Sequence, residues 1–270
     1  MIIDAVYQYI EKKYQGDFGN LHITDVRIGV FLCAIKLSNG FVGVASVIHS
    51  DEIHQVEKKD RDFGDFTPLK IIGKKISDLF KYEKSTATAQ ILKIASLNAY
   101  FQGLLNNGQY KFLEKTDPID ILKFSEYKNV VMIGAFSSYI RKISESGTHL
   151  SVLELDENAF LPHQKQFYIP SEKYKELLPE ADMIIITGLT LVNNTFDGLL
   201  EHIPESSKSI MIGPSASMVP DIFFKKGIDM IGGTFITDSE KLFALAGQGA
   251  AGYHLFEYCA EKITVINEQN

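Results

Sequence analysis

Apolar residues recur at helical intervals at the start of the chain. Ile3, Val6, Tyr7 and Ile10 share one face, which predicts a helix over residues 2–14. Extended segments follow at 22–30, 31–37 and 41–47. Ser38-Asn39-Gly40 separates the last two, and Asn-Gly is a strong hairpin signal because both residues tolerate positive φ. An antiparallel meander is therefore expected. Residues 51–68 are polar, rich in Asp, Lys and Gly, and read as a long loop. A short helix is predicted at 76–82. A longer one covers 85–106, where Ile91, Ile94, Ala95, Leu97, Asn98, Phe101 and Leu105 recur at helical spacing and Gly103 weakens the last turns.

Lys115-Thr116-Asp117-Pro118 reads as a helix stop and a domain boundary, dividing the chain into 1–115 and 116–270, with a short helix at 119–124 after it. Beyond it, strand and helix alternate. Strands are predicted at 129–133, 150–155, 183–187, 209–212 and 229–231, with helices near 137–146, 171–178, 195–202, 219–226 and 238–247. Segments such as VVMI and MIIIT are apolar throughout, as in a parallel sheet covered on both faces. The fold class expected is α/β: an N-terminal α+β domain, then a Rossmann-like, doubly wound, mainly parallel sheet. Ligands of such sheets bind beyond the carboxyl ends of the strands, where the strand order reverses.

Composition narrows the function classes. A 270-residue chain with 45% apolar residues can bury a substantial core, and its net charge of −7 argues against non-specific nucleic-acid binding. Apolar runs fall short of a membrane span, and no basic n-region with an apolar stretch opens the chain, so no signal peptide is expected. The only two cysteines, Cys33 and Cys259, sit in apolar settings and suit a reducing cytosol, which makes cytoplasmic the expected location. The partner expected is a small-molecule ligand, with neither nucleic acid nor membrane. The cofactor is unknown from sequence, and the oligomeric state is open, a homodimer being one outcome.

Five strand ends carry residues of the kind that form sites. Gly134 ends the first strand of the second half and opens a helix, whose amino end favours an anionic or polar group. Phe136 and Tyr139 stand where a dinucleotide fingerprint needs glycines, which disfavours a pyrophosphate; close helix packing is the plainer account of Gly134. Glu154 lies about 20 residues further on, where nucleotide-binding domains hold a carboxylate for ribose hydroxyls, although Asp156 or Glu157 is equally available. Thr187 and Gly188 end the third strand, and Thr190, Asn193, Asn194 and Thr195 cluster after it, more polar residues than one helix cap needs. Gly213-Pro214-Ser215 ends the fourth, where Ser215 and Ser217 can cap the next helix; no G-x-S-x-G frame makes Ser215 a nucleophile. Gly232 and Gly233 end the fifth and allow close backbone approach or a tight turn.

The seven histidines are scattered, without H-x-x-x-H, H-E-x-x-H or C-x-x-C spacing. His49 and His54, flanking Asp51 and Glu52, are the nearest approach to a metal cluster and read more simply as a surface loop. No metal ligands are therefore assigned.

The order ILKIASLNA (91–99), VVMIGAF (130–136), LSVLELDE (150–157), ADMIIITGLTLVNNTFDGLL (181–200) and IMIGPSASMVP (210–220) resembles the DUF364 / DUF4213 proteins, a family of unknown function associated with heavy-metal chelation. The resemblance covers nearly the whole chain. It implies an enolase N-terminal-like domain before the Rossmann-like one and a site in the cleft between them. It further implies condensation or hydrolysis of flavin-, pterin- or siderophore-like compounds. On matching positions, Asn98 would enter the cleft from the first domain, and Glu154, Thr190, Asn193, Gly213, Pro214 and Ser215 would line the other wall. No metal-binding enolase barrel is present, so enolase activity is not implied.

The residues alone place Asn98 on an otherwise apolar helix face, either hydrogen-bonded in the core or facing the cleft. In the enzyme reading, Glu154 and Asn98 are the catalytic candidates, and Gly134, Phe136, Thr187, Thr190, Asn193, Gly213, Pro214 and Ser215 bind the ligand. There Glu154 binds or deprotonates a small heterocycle, Asn98 and Asn193 orient it, and the amides near Gly134 and Gly213 hold an anionic group. The alternatives are a non-catalytic metal-chelate binding protein and, ranked last for want of G-x-G-x-G, a SAM-dependent methyltransferase.

Overall fold

Helix α1 (Ile2–Lys13) buries Ile2, Ile3, Val6 and Ile10, with Asp4 in its first turn and Lys12 and Lys13 in its last, each where the helix dipole favours it. In this computed structural model, residues 1–48 and 63–268 are described. His49, Asp51, Glu52, His54 and most of the 51–68 loop lie outside them.

Strands β1 (Ile23–Ile28), β2 (Leu32–Leu37) and β3 (Val42–Ser46) form the expected antiparallel meander. Helices α2 (Ile76–Lys81) and α3 (Ala87–Asn106) complete the N-terminal α+β unit. Thr86 caps α3 by accepting the Ala89 N–H at 3.1 Å. Helix α3 is buried almost all round, as a helix enclosed by structure on every side must be. Gly43 allows it to lie directly on β3: a Cβ there would come within 2.3 Å of the Ala95 carbonyl oxygen and the Ala99 nitrogen.

The second unit is built on an eight-stranded sheet. Its strands are β4 (Leu113–Glu114), β5 (Asn129–Ile133), β6 (His149–Glu154), β7 (Tyr168–Pro170), β8 (Met183–Thr187), β9 (Lys208–Ile212), β10 (Met230–Ile236) and β11 (Ala260–Ile266), in the order β4-β11-β10-β9-β8-β5-β6-β7. From β7 to β10 every pairing is parallel; β11 runs antiparallel to both β10 and β4. The parallel part of the sheet starts at β5, moves outward through β6 and β7, then returns to β8 on the other side. The order therefore reverses between β5 and β8, the point at which Rossmann-like sheets open a crevice.

The intervening helices are α4 (Pro118–Ile121), α5 (Ser137–Glu145), α6 (Tyr174–Leu177), α7 (Leu189–Val192), α8 (Phe196–Leu200), α9 (Asp221–Lys225), α10 (Ser239–Gly247) and α11 (Gly252–Tyr258). Asp117 and Asp120 form a capping box around α4, with Pro118 in its first turn.

Several expectations need correction. Strand β10 extends to Ile236 instead of ending at 231, and β4, β7, α11 and β11 lie outside the elements that the sequence pattern predicts. The predicted 171–178 helix is a 3-10 turn followed by only four α-helical residues. Ser215 and Ser217 do not cap a helix: their hydroxyls accept the Ser46 and Thr234 N–H groups at 2.8 and 2.7 Å.

One apolar cluster takes in Ile3, Ile35, Leu97 and Phe101 from the first unit and Ile184, Met211 and Ile231 from the second. A row of amides on α3 adds polar links across the same boundary. Gln90 donates to the Leu191 carbonyl at 2.8 Å, and Asn98 to those of Val44 and Pro214 at 2.7 and 3.0 Å. Gln102 donates to the Ile236 carbonyl at 3.2 Å and accepts its N–H at 2.9 Å.

Candidate functional site

A crevice of about 600 Å³ opens at the strand-order reversal. Ile133 and Gly134 line it from the end of β5, Leu153 and Glu154 from β6, Thr187 from β8, and Thr190 and Asn193 from α7 and its end. Ile48 reaches it from the N-terminal unit. Its walls are largely apolar with a few polar groups among them, the usual make-up of a small-molecule site.

Glu154 is half-buried, and its two oxygens accept the N–H groups of Ala135 at 2.9 Å and Leu155 at 2.7 Å. The carboxylate thus ties the turn after β5 to the end of β6. Gly134, at φ +94°, makes that turn possible, and a side chain there would meet Thr187 at 2.9 Å. The Gly134 N–H goes to the Leu153 carbonyl and the Gly213 N–H to the Gly232 carbonyl. The N–H groups of Gly134, Ala135 and Gly213 themselves are therefore engaged within the protein.

At the end of β8, Thr187 Oγ1 accepts the Leu189 N–H at 3.2 Å and Thr190 donates to the Thr187 carbonyl at 2.7 Å. Asn193 Oδ1 accepts from the Thr195 N–H and hydroxyl at 3.2 and 2.7 Å. Asn193 lines the crevice, and its amide nitrogen makes no hydrogen bond with the described residues.

The structure divides the remaining candidates. Phe136, Gly213 and Pro214 line a separate cavity of about 300 Å³. Ser215 is buried at the junction with β3. Asn98 is 3% exposed and lines neither cavity, its donors both held by main-chain carbonyls. Asn98 and Glu154 are thus not brought together over one cavity. Leu189 and Leu155, exposed apolar residues beside the crevice, were not singled out from sequence; their place at strand ends was the available signal. Among the described residues no three His, Cys, Asp or Glu side chains converge as a metal-donor set, and no helix is long and apolar enough to cross a membrane.

Fold and crevice define the class: a Rossmann-like α/β protein preceded by an α+β unit, with a ligand-sized opening at the switch point of its sheet. The chain belongs to the DUF364 family, described as "Putative heavy-metal chelation", whose model matches residues 117–265. A second model of the same description, DUF4213, matches residues 12–101.

A DUF364-family protein of unknown function from Pyrococcus horikoshii superposes with a TM-score of 0.77, covering 99% of this chain and 100% of that one at 17% identity. Another from Desulfitobacterium hafniense DCB-2 gives 0.70, covering 97% and 98% at 18% identity. These likenesses establish the fold. An uncharacterized protein of Methanocaldococcus jannaschii is 36% identical over 89 residues, and the chain spans only 34% of that relative's length.

Proposed function

We propose that the protein binds a small pterin-, flavin- or siderophore-like heterocyclic metabolite in the 600 Å³ crevice, with Glu154 as its principal polar contact. The observation that carries this reading is the half-buried Glu154 carboxylate at the point where the strand order reverses. A carboxylate offers about four acceptor directions, and Ala135 and Leu155 occupy only two of them. The others suit ring N–H or hydroxyl donors, while the apolar walls suit a ring face and the Asn193 amide a ring carbonyl.

The same carboxylate holds an amide of the turn that phosphate occupies in nucleotide-binding relatives of this architecture, and its charge repels a phosphate. The preferred ligand is therefore unphosphorylated. The described residues present walls for an organic molecule rather than a metal-donor set. In this reading a heavy metal enters as the cargo of a chelating ligand.

Calorimetric titration with pterin, riboflavin, riboflavin 5′-phosphate and catechol tests the proposal. At least one unphosphorylated compound should bind saturably and about tenfold more weakly to Glu154→Gln. Absence of saturable binding by all of them, or equal affinity in the variant, contradicts it.

A further inference from the structure

The cavity of about 300 Å³ shares no lining residue with the crevice. Phe136, Tyr139 and Ile212 on its wall belong to the core beneath α5, whereas Ile133, Leu153 and Leu199 at the crevice belong to the core shared with the N-terminal unit. Its volume is at the lower end of the range for ligand sites and suits a single ring. Aromatic rings of Phe136, Tyr253 and Phe256 wall it, and Gly213, Gly232 and Gly252 add main chain to its lining.

Its charges are unequal in what they leave available. Asp117 accepts from the Ile119 N–H, the Tyr139 hydroxyl and, at 2.7 Å, the Lys262 ammonium, and its side chain is only 13% exposed. Lys262 is 45% exposed and sits 5.4 Å from the Phe256 ring centroid, with ammonium donors beyond the one given to Asp117. What the pair presents to the cavity is the remaining ammonium donors of Lys262, whose charge is already paired with Asp117, beside aromatic walls.

We propose that this cavity is a second binding site and that it takes a planar aromatic acid, the ring lying among Phe136, Tyr253 and Phe256 and the carboxylate meeting Lys262. The geometry matches the two parts of such a molecule, since an aromatic ring prefers ring and peptide walls and a carboxylate prefers a charged donor. The proposal is independent of what occupies the crevice.

Benzoate is the probe, with benzyl alcohol as its uncharged counterpart, titrated into the full chain by calorimetry. Benzoate should bind saturably, and benzyl alcohol at least about tenfold more weakly. Lys262→Met should weaken benzoate by a similar factor. Gly252→Leu should abolish binding by filling the cavity; the backbone there admits a Cβ, which meets only Pro214, at an ordinary 3.8 Å. Circular dichroism and the urea midpoint verify folding, and Gly252→Leu decides the matter if Lys262→Met destabilises Asp117. No saturable binding, equal affinity for benzyl alcohol, or undiminished binding by folded Gly252→Leu overturns the proposal. So does a loss in Glu154→Gln as large as that in Lys262→Met, which would assign benzoate to the crevice.

Discussion

Asn98 and Glu154 are both polar residues in apolar surroundings, yet the structure uses them differently. Asn98 places both donors on main-chain carbonyls, one from β3 and one from the turn after β9, while its Oδ1 is buried without a hydrogen-bond partner among the described residues. It acts as a rivet between the two units. Asn98→Ala would leave two carbonyls unpaired and a small void, and should lower stability by about 2–4 kcal/mol in urea unfolding. Ligand binding at the crevice should survive wherever the variant remains folded. Glu154→Gln should cost about 1–2 kcal/mol, because its amide oxygen can still accept one of the Ala135 and Leu155 N–H groups while its NH2 group cannot accept the other. A larger stability loss for Glu154→Gln than for Asn98→Ala would reverse these roles. The position of Glu154 at the crevice was legible in the sequence because it follows from being at a strand end, a local property. The role of Asn98 depended on carbonyls 54 and 116 residues away, which no spacing rule supplies.

Elements were legible where one period dominated. Strands β5 and β8 are continuous apolar runs, and α1 carries a clean amphipathic stripe. Strand β11 reads AEKITVI, with charges at its start and an exposed Ile266 at its end, so its pattern suits neither a buried strand nor a regular alternation. Strand β7 has three residues and ends in proline, too short for any period. Packing between elements sets two further expectations. Gly43→Ala forces β3 away from α3 and should cost about 3 kcal/mol, measured by the urea midpoint. The other concerns α1 and α9, where Asp221 accepts hydroxyls from Tyr9 and Tyr110 and lies 3.3 Å from the Lys13 ammonium. Burial alone would raise the Asp221 pKa, but the Tyr110 and Tyr9 hydrogen bonds and Lys13 outweigh it and hold the group below the ordinary carboxylate range. A depressed folded-state pKa gives stability that is complete above the unfolded value of about 4 and lost as pH falls through the folded one. Asp221→Asn removes that titration. Its thermal midpoint should lie below wild type by a steady margin near neutral pH, and the margin should close below about pH 4. A margin that persists in acid would mean that charge at this position does not hold α1 to α9.

At the scale of the whole molecule, the question is whether the two units unfold together. Sequence suggested a boundary near residue 115, and the family models also fall on either side of it. The packing nevertheless crosses that boundary repeatedly. Ile3 and Leu97 share a core cluster with Ile184 and Met211, and Leu32, Ala34 and Val44 share another with Leu242, Leu255 and Cys259. Removing either unit would strip apolar cover from the other and strand the amide row of α3, so partial unfolding should be costly. The two thiols provide a direct reading. Cys33, on β2, is pushed up to about 12 by burial. Cys259, at the end of α11, is raised to about 11, chiefly by burial, with Asp238 adding and Lys241 opposing. Neither should react with iodoacetamide in the native protein, since the thiolate is the reactive form and both sulfurs are enclosed. As urea is raised, mass-spectrometric labelling of Cys33 and Cys259 should appear at one midpoint, matching the circular dichroism transition. Labelling of either cysteine well before the other would show that one unit opens while its neighbour stays folded, and would mean that the shared clusters do not couple the halves.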